Sequence, residues 1–137
     1  MNEIKQVFED LKHIKILLVD DDPIISNPLK LVFKYNNCFI DIVDTVEYGL
    51  SLIGKSHYDI ILCVYNPPKI NGIDFLKGAK LQQSHSIRAL ITGYDTEGIK
   101  IKALAGGIDN IMYKPYTIPS FISYISRLHN TKKIQMI

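Results

Sequence analysis

Cysteine is nearly absent from the 137 residues: only Cys38 and Cys63 occur, each inside an apolar run and neither at a spacing such as C-x-x-C. That argues against a disulfide scaffold or a cysteine metal site and fits two reduced thiols in the core of a cytoplasmic protein. No apolar run approaches the ~20 residues that cross a bilayer. The opening MNEIKQVFEDLKH is charged throughout, so neither a secretory leader nor a membrane span is expected. A strong excess of one charge is also lacking. Net charge is +2, too little to imply nucleic acid as a partner. Acidic residues do run out toward the end: residues 114–137 hold Lys114, Arg127, Lys132 and Lys133 and no Asp or Glu. Four cations mixed with Ile and Met read as a solvated end. Repeats, low-complexity tracts and linkers are missing, so one domain is expected, large enough to bury roughly two-thirds of its unfolded surface.

What the chain does contain is an alternation. Short apolar, β-branched or Leu-rich runs occur at Lys15–Val19 (KILLV), Phe39–Val43 (FIDIV), Ile60–Val64 (IILCV), Ala89–Thr92 (ALIT) and Ile111–Tyr113 (IMY). Longer stretches with helical spacing lie between them. Asp44-Thr45-Val46-Glu47 has the form of a capping box ahead of Leu50 and Ile53. Gly72 to Gln83 places Phe75, Leu76 and Ala79 on one face. Asp95 or Thr96 caps the segment that Gly106-Gly107 ends, although its Ile-Lys-Ile-Lys alternates like a strand. Thr117 with Pro119 opens the last helix, striped by Phe121, Ile122, Ile125 and Leu128. Pro23 and Pro28 predict a first crossover helix that starts late, with Asn27 as cap, or one that is kinked.

Strands alternating with helices of this length predict right-handed crossovers and a parallel sheet covered on both faces. The fold class is therefore α/β: a flavodoxin-like, doubly wound, five-stranded parallel sheet in the order 2-1-3-4-5, with five helices. Ahead of it, Ile4, Val7, Phe8 and Leu11 predict a short amphipathic N-terminal helix. The expected organisation is an N-terminal extension over 1–13, a domain over 14–129 and a tail over 130–137.

In such a sheet, ligands bind where the strands end. The first strand ends in Asp20-Asp21-Asp22, the third in Val64, the fourth in Thr92-Gly93 and the fifth in Lys114-Pro115. Carboxylates, a hydroxyl and an ammonium thus share one crevice with a valine. Taken alone, each has a plain reading: three Asp at a strand-to-helix turn cap a helix, and Val64 is strand core.

Together, from Ile14 to about Leu128, they resemble the receiver domain of two-component response regulators, the family of the chemotaxis response regulator. KILLVDDDP is similar to the family's first-strand motif, whose acidic pair maps to Asp20 and Asp21. PPKINGIDFL is similar to its loop Met-Pro-x-x-Asp/Asn-Gly, mapping Pro68 and Gly72. ALITG places the family's switch hydroxyl at Thr92. GGIDNIMYKPY places its lysine and the following proline, a bond usually cis, at Lys114 and Pro115. The departure lies in the third strand. The family's phosphoryl-accepting aspartate stands four residues before the loop proline, and here that position is Val64. The aromatic switch, three residues before the lysine, is Ile111.

The resemblance implies Mg²⁺ held by acidic residues and a phosphoryl group contacted by Thr and Lys. Valine has no lone pair to act as nucleophile, and its presence leaves the metal only Asp20, Asp21 and the Asn66 backbone carbonyl. Mg²⁺ binding is expected to be weak at most, with none required, and no phosphoryl transfer to position 64 is expected. Asp59, at the other end of the strand, and Asp74, in the next helix, offer no substitute. A Lys114–Asp21 ion pair is expected to hold the crevice closed. The expected function is that of a non-phosphorylatable pseudo-receiver, not an enzyme, working through protein contacts. Its partner would be a histidine kinase or downstream effector on the face formed by the fourth helix, fifth strand and fifth helix, including Lys100, Lys102, Tyr113 and Tyr116. The N-terminal helix offers a face for a homodimer. Two alternatives remain open. One is a phospho-accepting receiver that uses another residue, or a fragment of a longer regulator. The other is a haloacid-dehalogenase-type phosphatase with Asp20 as nucleophile and Asp22 as acid, although residues 115–137 lack the further carboxylates such an enzyme uses for Mg²⁺.

Overall fold

A computed structural model describes residues 2–94, 96–108 and 110–135, with side chains described between residues 5 and 131. All five expected strands form: β1 (Lys15–Val19), β2 (Phe39–Val43), β3 (Ile60–Asn66), β5 (Ile87–Thr92) and β6 (Asn110–Tyr113). They pair in parallel in the order β2-β1-β3-β5-β6. This is the expected 2-1-3-4-5 order once the two-residue β4 (Ile70–Asn71) is set aside. That small strand corrects the expected end of β3 at Val64. The chain turns back at Pro67-Pro68-Lys69, so Tyr65 lies opposite Asn71 and Asn66 opposite Ile70 in antiparallel register. The Pro67–Pro68 peptide is cis, as is Lys114–Pro115.

The helices are α1 (Asn2–Leu11), α2 (Pro23–Tyr35), α3 (Val46–Ile53), α4 (Gly72–Gln82), α5 (Glu97–Ala105) and α6 (Ile118–Gln135). Right-handed crossovers place α2 and α6, with α1 against α6, on one face of the sheet and α3 and α4 on the other. α2 does not start late. Asp22 caps it by accepting from the Ile24 N–H at 3.1 Å, Pro23 opens it, and Pro28 lies inside. Pro28 removes one helical hydrogen bond, but burial of Ser26, Leu29 and Phe33 spans that gap. The cap of α3 is Thr45, accepting from Tyr48 N–H at 3.1 Å. Glu47 is therefore one position too early for the expected capping box. Thr96 caps α5. Asp95, the alternative, lies outside the described residues, as do the side chains of Ile4, Lys132 and Lys133. At the start of α6, Thr117 and Ser120 cap each other's backbone N–H groups at 2.9 and 3.1 Å. This helix continues to Gln135, so residues 130–135, set apart above as a tail, are helical.

The interior is continuous from α1 to α6. Phe8 and Leu11 belong to the same buried cluster as β1, β3 and β5, so the N-terminal helix is part of the domain core. Gly72 brings α4 against β3: a Cβ there would lie 2.4 Å from the Val64 carbonyl oxygen. The close approach leaves no room for a side chain, and this positions the loop over the carboxyl edge of the sheet.

Candidate functional site

The strand ends converge as the topology requires. The Asp20 N–H donates to the Val43 carbonyl at 2.9 Å, and the Lys114 N–H donates to the Thr92 carbonyl at 2.8 Å. These two bonds fix the exits of β1 and β6 on one crevice. Val64 pairs with Ile91 in the centre of the sheet and is 3% exposed. It floors a cavity of about 250 Å³ lined also by Asp21, Tyr65, Asn66, Thr92, Tyr94 and Lys114. Thr92 is buried and its Oγ accepts from Tyr94 N–H at 3.0 Å. Asn66 and Pro68 are exposed on the rim, and Ile111 is half-buried against the core.

The charges do not pair as expected. Lys114 lies on Asp20, with Nζ at 3.2 Å from Oδ2 and 3.4 Å from Oδ1, and not on Asp21. Asp21 is instead taken by Lys69, whose Nζ is 2.8 Å from Oδ2. The two aspartates leave the strand in different directions, Asp20 into the interior and Asp21 toward the rim. Asp20 has no exposed side-chain surface. Burial pushes its carboxyl above the usual range, against the downward pull of the Asp22 N–H, 3.0 Å away, and of Lys114. For Asp21 the Lys69 hydrogen bond dominates and holds the carboxyl below its ordinary value.

Sequence reasoning missed Lys69 altogether and misplaced Tyr116. Lys69 carried a signal, being a lone lysine in the loop after β3, on the edge where three aspartates emerge. Tyr116 was expected on an exposed partner face, but it is buried, with its hydroxyl donating to Asp20 Oδ2 across 3.5 Å. Its phenol is pushed well above the ordinary range, first by burial and then by the Asp20 charge. On the expected face, which is α5, β6 and α6 in this numbering, Lys100, Lys102 and Tyr113 are exposed. Asp59 lies at the opposite edge of the sheet, accepting from Lys15 N–H at 2.7 Å, and Asp74 lies in α4. Asp22, the third aspartate, caps α2.

The donor set does not match that of a hard, six-coordinate cation. Val64 supplies no oxygen, Asp20 is engaged by Lys114 and Tyr116, and Asp21 is engaged by Lys69. Among the described residues, no three His, Cys, Asp or Glu side chains gather as metal ligands would.

The family model of the response regulator receiver domain matches residues 16–126. The chain is similar to the cell cycle transcriptional regulator CtrA of Caulobacter vibrioides, at 29% identity over 112 residues that cover 82% of this chain and 48% of CtrA. It is also similar to the transcriptional regulatory protein TrcR of Mycobacterium tuberculosis, at 21% identity over 84% of this chain and 45% of TrcR. The chain spans about half the length of the curated relatives it matches. Among solved structures, the CheY-like response regulator receiver domain protein from Methanospirillum hungatei superposes with a TM-score of 0.79 at 22% identity, covering 89% of this chain and 98% of that one. The receiver domain of the Francisella response regulator 1452 superposes with a TM-score of 0.73 at 27% identity, covering 90% and 99%.

Proposed function

Because the chain belongs to the response-regulator receiver family, and so to two-component signalling, we propose that it is a pseudo-receiver that signals without accepting a phosphoryl group at position 64. The observation that carries this reading is Val64, buried on the floor of the cavity where the family's acceptor carboxylate stands. Valine offers no nucleophile. The groups that would stabilise a transferring phosphoryl group are also occupied. Lys114 is drawn 3.2 Å from Asp20, and Asp21 is neutralised by Lys69. Ile111, half-buried where the family has its switch aromatic, has no ring to rotate. The crevice therefore lacks the parts of a phosphorylation-driven rearrangement, and the domain acts through protein contacts in the cytoplasm, with no catalytic turnover and no required Mg²⁺. Its partner is a kinase or an effector, met on the face that carries Lys100, Lys102 and Tyr113. The phosphatase alternative finds less support, since its acid, Asp22, is the helix cap.

Intact mass after incubation with Mg²⁺ and acetyl phosphate tests the reading, with Val64→Asp alongside. The natural chain is expected to gain nothing and the variant one phosphoryl group. A phosphoryl group on the natural chain overturns the proposal and sends attention to whichever residue carries it. If the variant also stays unmodified, the lysine pairs close the crevice even to a restored acceptor.

A further inference from the structure

Four aromatic rings run through the layer that holds α2 and α6. Phe8 of α1 meets Phe33 of α2 edge to face, with ring centres 5.7 Å apart. Phe33 meets Phe121 of α6 at 6.5 Å, again edge to face. Phe121 lies 5.5 Å from Tyr116, and the Tyr116 hydroxyl reaches Asp20 Oδ2 across 3.5 Å. Phe33 and Phe121 have no accessible surface, and Phe8 has 3%. The column begins at the amino-terminal edge of the sheet, where the Cys38 thiol ahead of β2 donates to the Phe8 carbonyl at 3.2 Å. It ends at the carboxyl-terminal edge, on the carboxylate that holds Lys114. Helix α1 lies outside the stretch matched by the family model, which begins at residue 16.

We propose that α1 is a regulatory element of the crevice, its docking coupled through Phe8, Phe33, Phe121 and Tyr116 to the Asp20–Lys114 pair. The physical reason is close packing. Interiors at this density move between discrete arrangements and do not deform smoothly, and edge-to-face rings depend on each other's orientation. If Phe8 leaves, Phe33 loses its outer neighbour and the two rings beyond it can resettle, which moves the Tyr116 hydroxyl relative to Asp20. That hydroxyl contact is long, so a small ring shift makes or breaks it. Coupling of this kind is reciprocal: rearranging the pair must loosen α1 as surely as lifting α1 loosens the pair. The crevice thereby communicates with the opposite edge of the sheet, where α1 packs against α6. The coupling does not depend on whether position 64 can accept a phosphoryl group.

Amide hydrogen exchange of α1 and the ring resonances of labelled tyrosine test the coupling from both ends. Tyr116→Phe keeps the ring and removes the hydroxyl. It is expected to speed exchange of the α1 amides on the order of 5-fold, the lower range of measured site-to-site couplings, while β1 and β3 stay protected. Phe8→Leu keeps apolar volume and removes the outermost ring. It is expected to shift the Tyr116 resonances and leave those of Tyr58, the other buried tyrosine, in place. Lys69→Ala breaks the Asp21 pair off the column and is expected to leave α1 unchanged. Unchanged α1 exchange in a folded Tyr116→Phe overturns the proposal. So does equal acceleration by Lys69→Ala, which would indicate general loosening and not transmission through the rings.

Discussion

Asp20 and Asp21 leave the same strand end one residue apart. One carboxyl is raised by burial and the other lowered by a lysine. The difference decides which lysine matters to stability. Lys69 is 69% exposed, and an ion pair that open to water contributes little. Lys114 is 29% exposed but covers a carboxylate with no accessible surface. Removing it leaves that charge in the interior, with one backbone N–H and a long tyrosine contact. Lys114→Ala is therefore expected to cost about 2 kcal/mol at neutral pH, between the values for exposed and fully buried pairs. The sign with pH follows from the raised Asp20 carboxyl. The folded chain takes up that proton at higher pH than the unfolded chain, so the cost of the buried charge disappears as pH falls toward the ordinary carboxylate value. Urea unfolding should show the variant's deficit shrinking on acidification. Asp20→Asn in the same background should recover most of the loss at neutral pH. That the crevice holds two acids and a lysine was legible in the sequence, since the β-α rhythm brings their positions to one edge. Which acid the lysine chooses was not, because it depends on the direction each side chain takes after the strand ends.

At the level of elements, α4 contains two glycines that the sequence does not distinguish. At Gly72 an added Cβ would meet the Val64 and Cys63 carbonyl oxygens at 2.4 and 3.0 Å, and neither backbone atom can move aside cheaply. At Gly78 nothing lies within 4 Å. Gly72→Ala is expected to destabilise by about 3 kcal/mol through overpacking. Gly78→Ala is expected to stabilise by about 0.5–1 kcal/mol through helix propensity and reduced freedom of the unfolded chain. Opposite shifts in the denaturation midpoint, one residue type and one helix, would confirm that the constraint is contact and not composition. The strands were the most readable elements, with β1 and β2 matching to the residue, because their runs are short, apolar and bounded by turn residues. The failures lie where tertiary contacts outweigh local rules. α2 runs through Pro28 because Leu29 and Phe33 are buried beyond it. β3 overruns Val64 because the diproline turn returns the chain onto it.

For the molecule as a whole, the sheet order was legible because right-handed crossovers permit few ways to connect five strands and five helices. The depth of the ionisable groups was not, and it governs behaviour in alkali. Tyr58, Tyr116 and Cys63 are all buried, and burial is the largest cause lifting each of them above its ordinary value. The unfolded chain would release these protons from about 9.0 for the thiol and 10.0 for the phenols. The folded chain keeps them to higher pH. Below the ordinary values both states hold the protons and the contribution is complete. Through the window above, the unfolded state gains by ionising and stability falls. Each group contributes about 1.4 kcal/mol per pH unit, so three together give a slope of up to about 4 kcal/mol per unit. Unfolding free energies measured from neutral pH to about pH 11 should therefore bend downward steeply past the thiol range. Tyr58→Phe and Tyr116→Phe combined should leave a shallower slope, carried mainly by the thiols Cys63 and Cys38, both raised by burial. If stability of the natural chain stays flat across that window, water reaches the phenols. The Tyr116 hydroxyl would then not be sealed between Phe121 and Asp20 as the ring column requires.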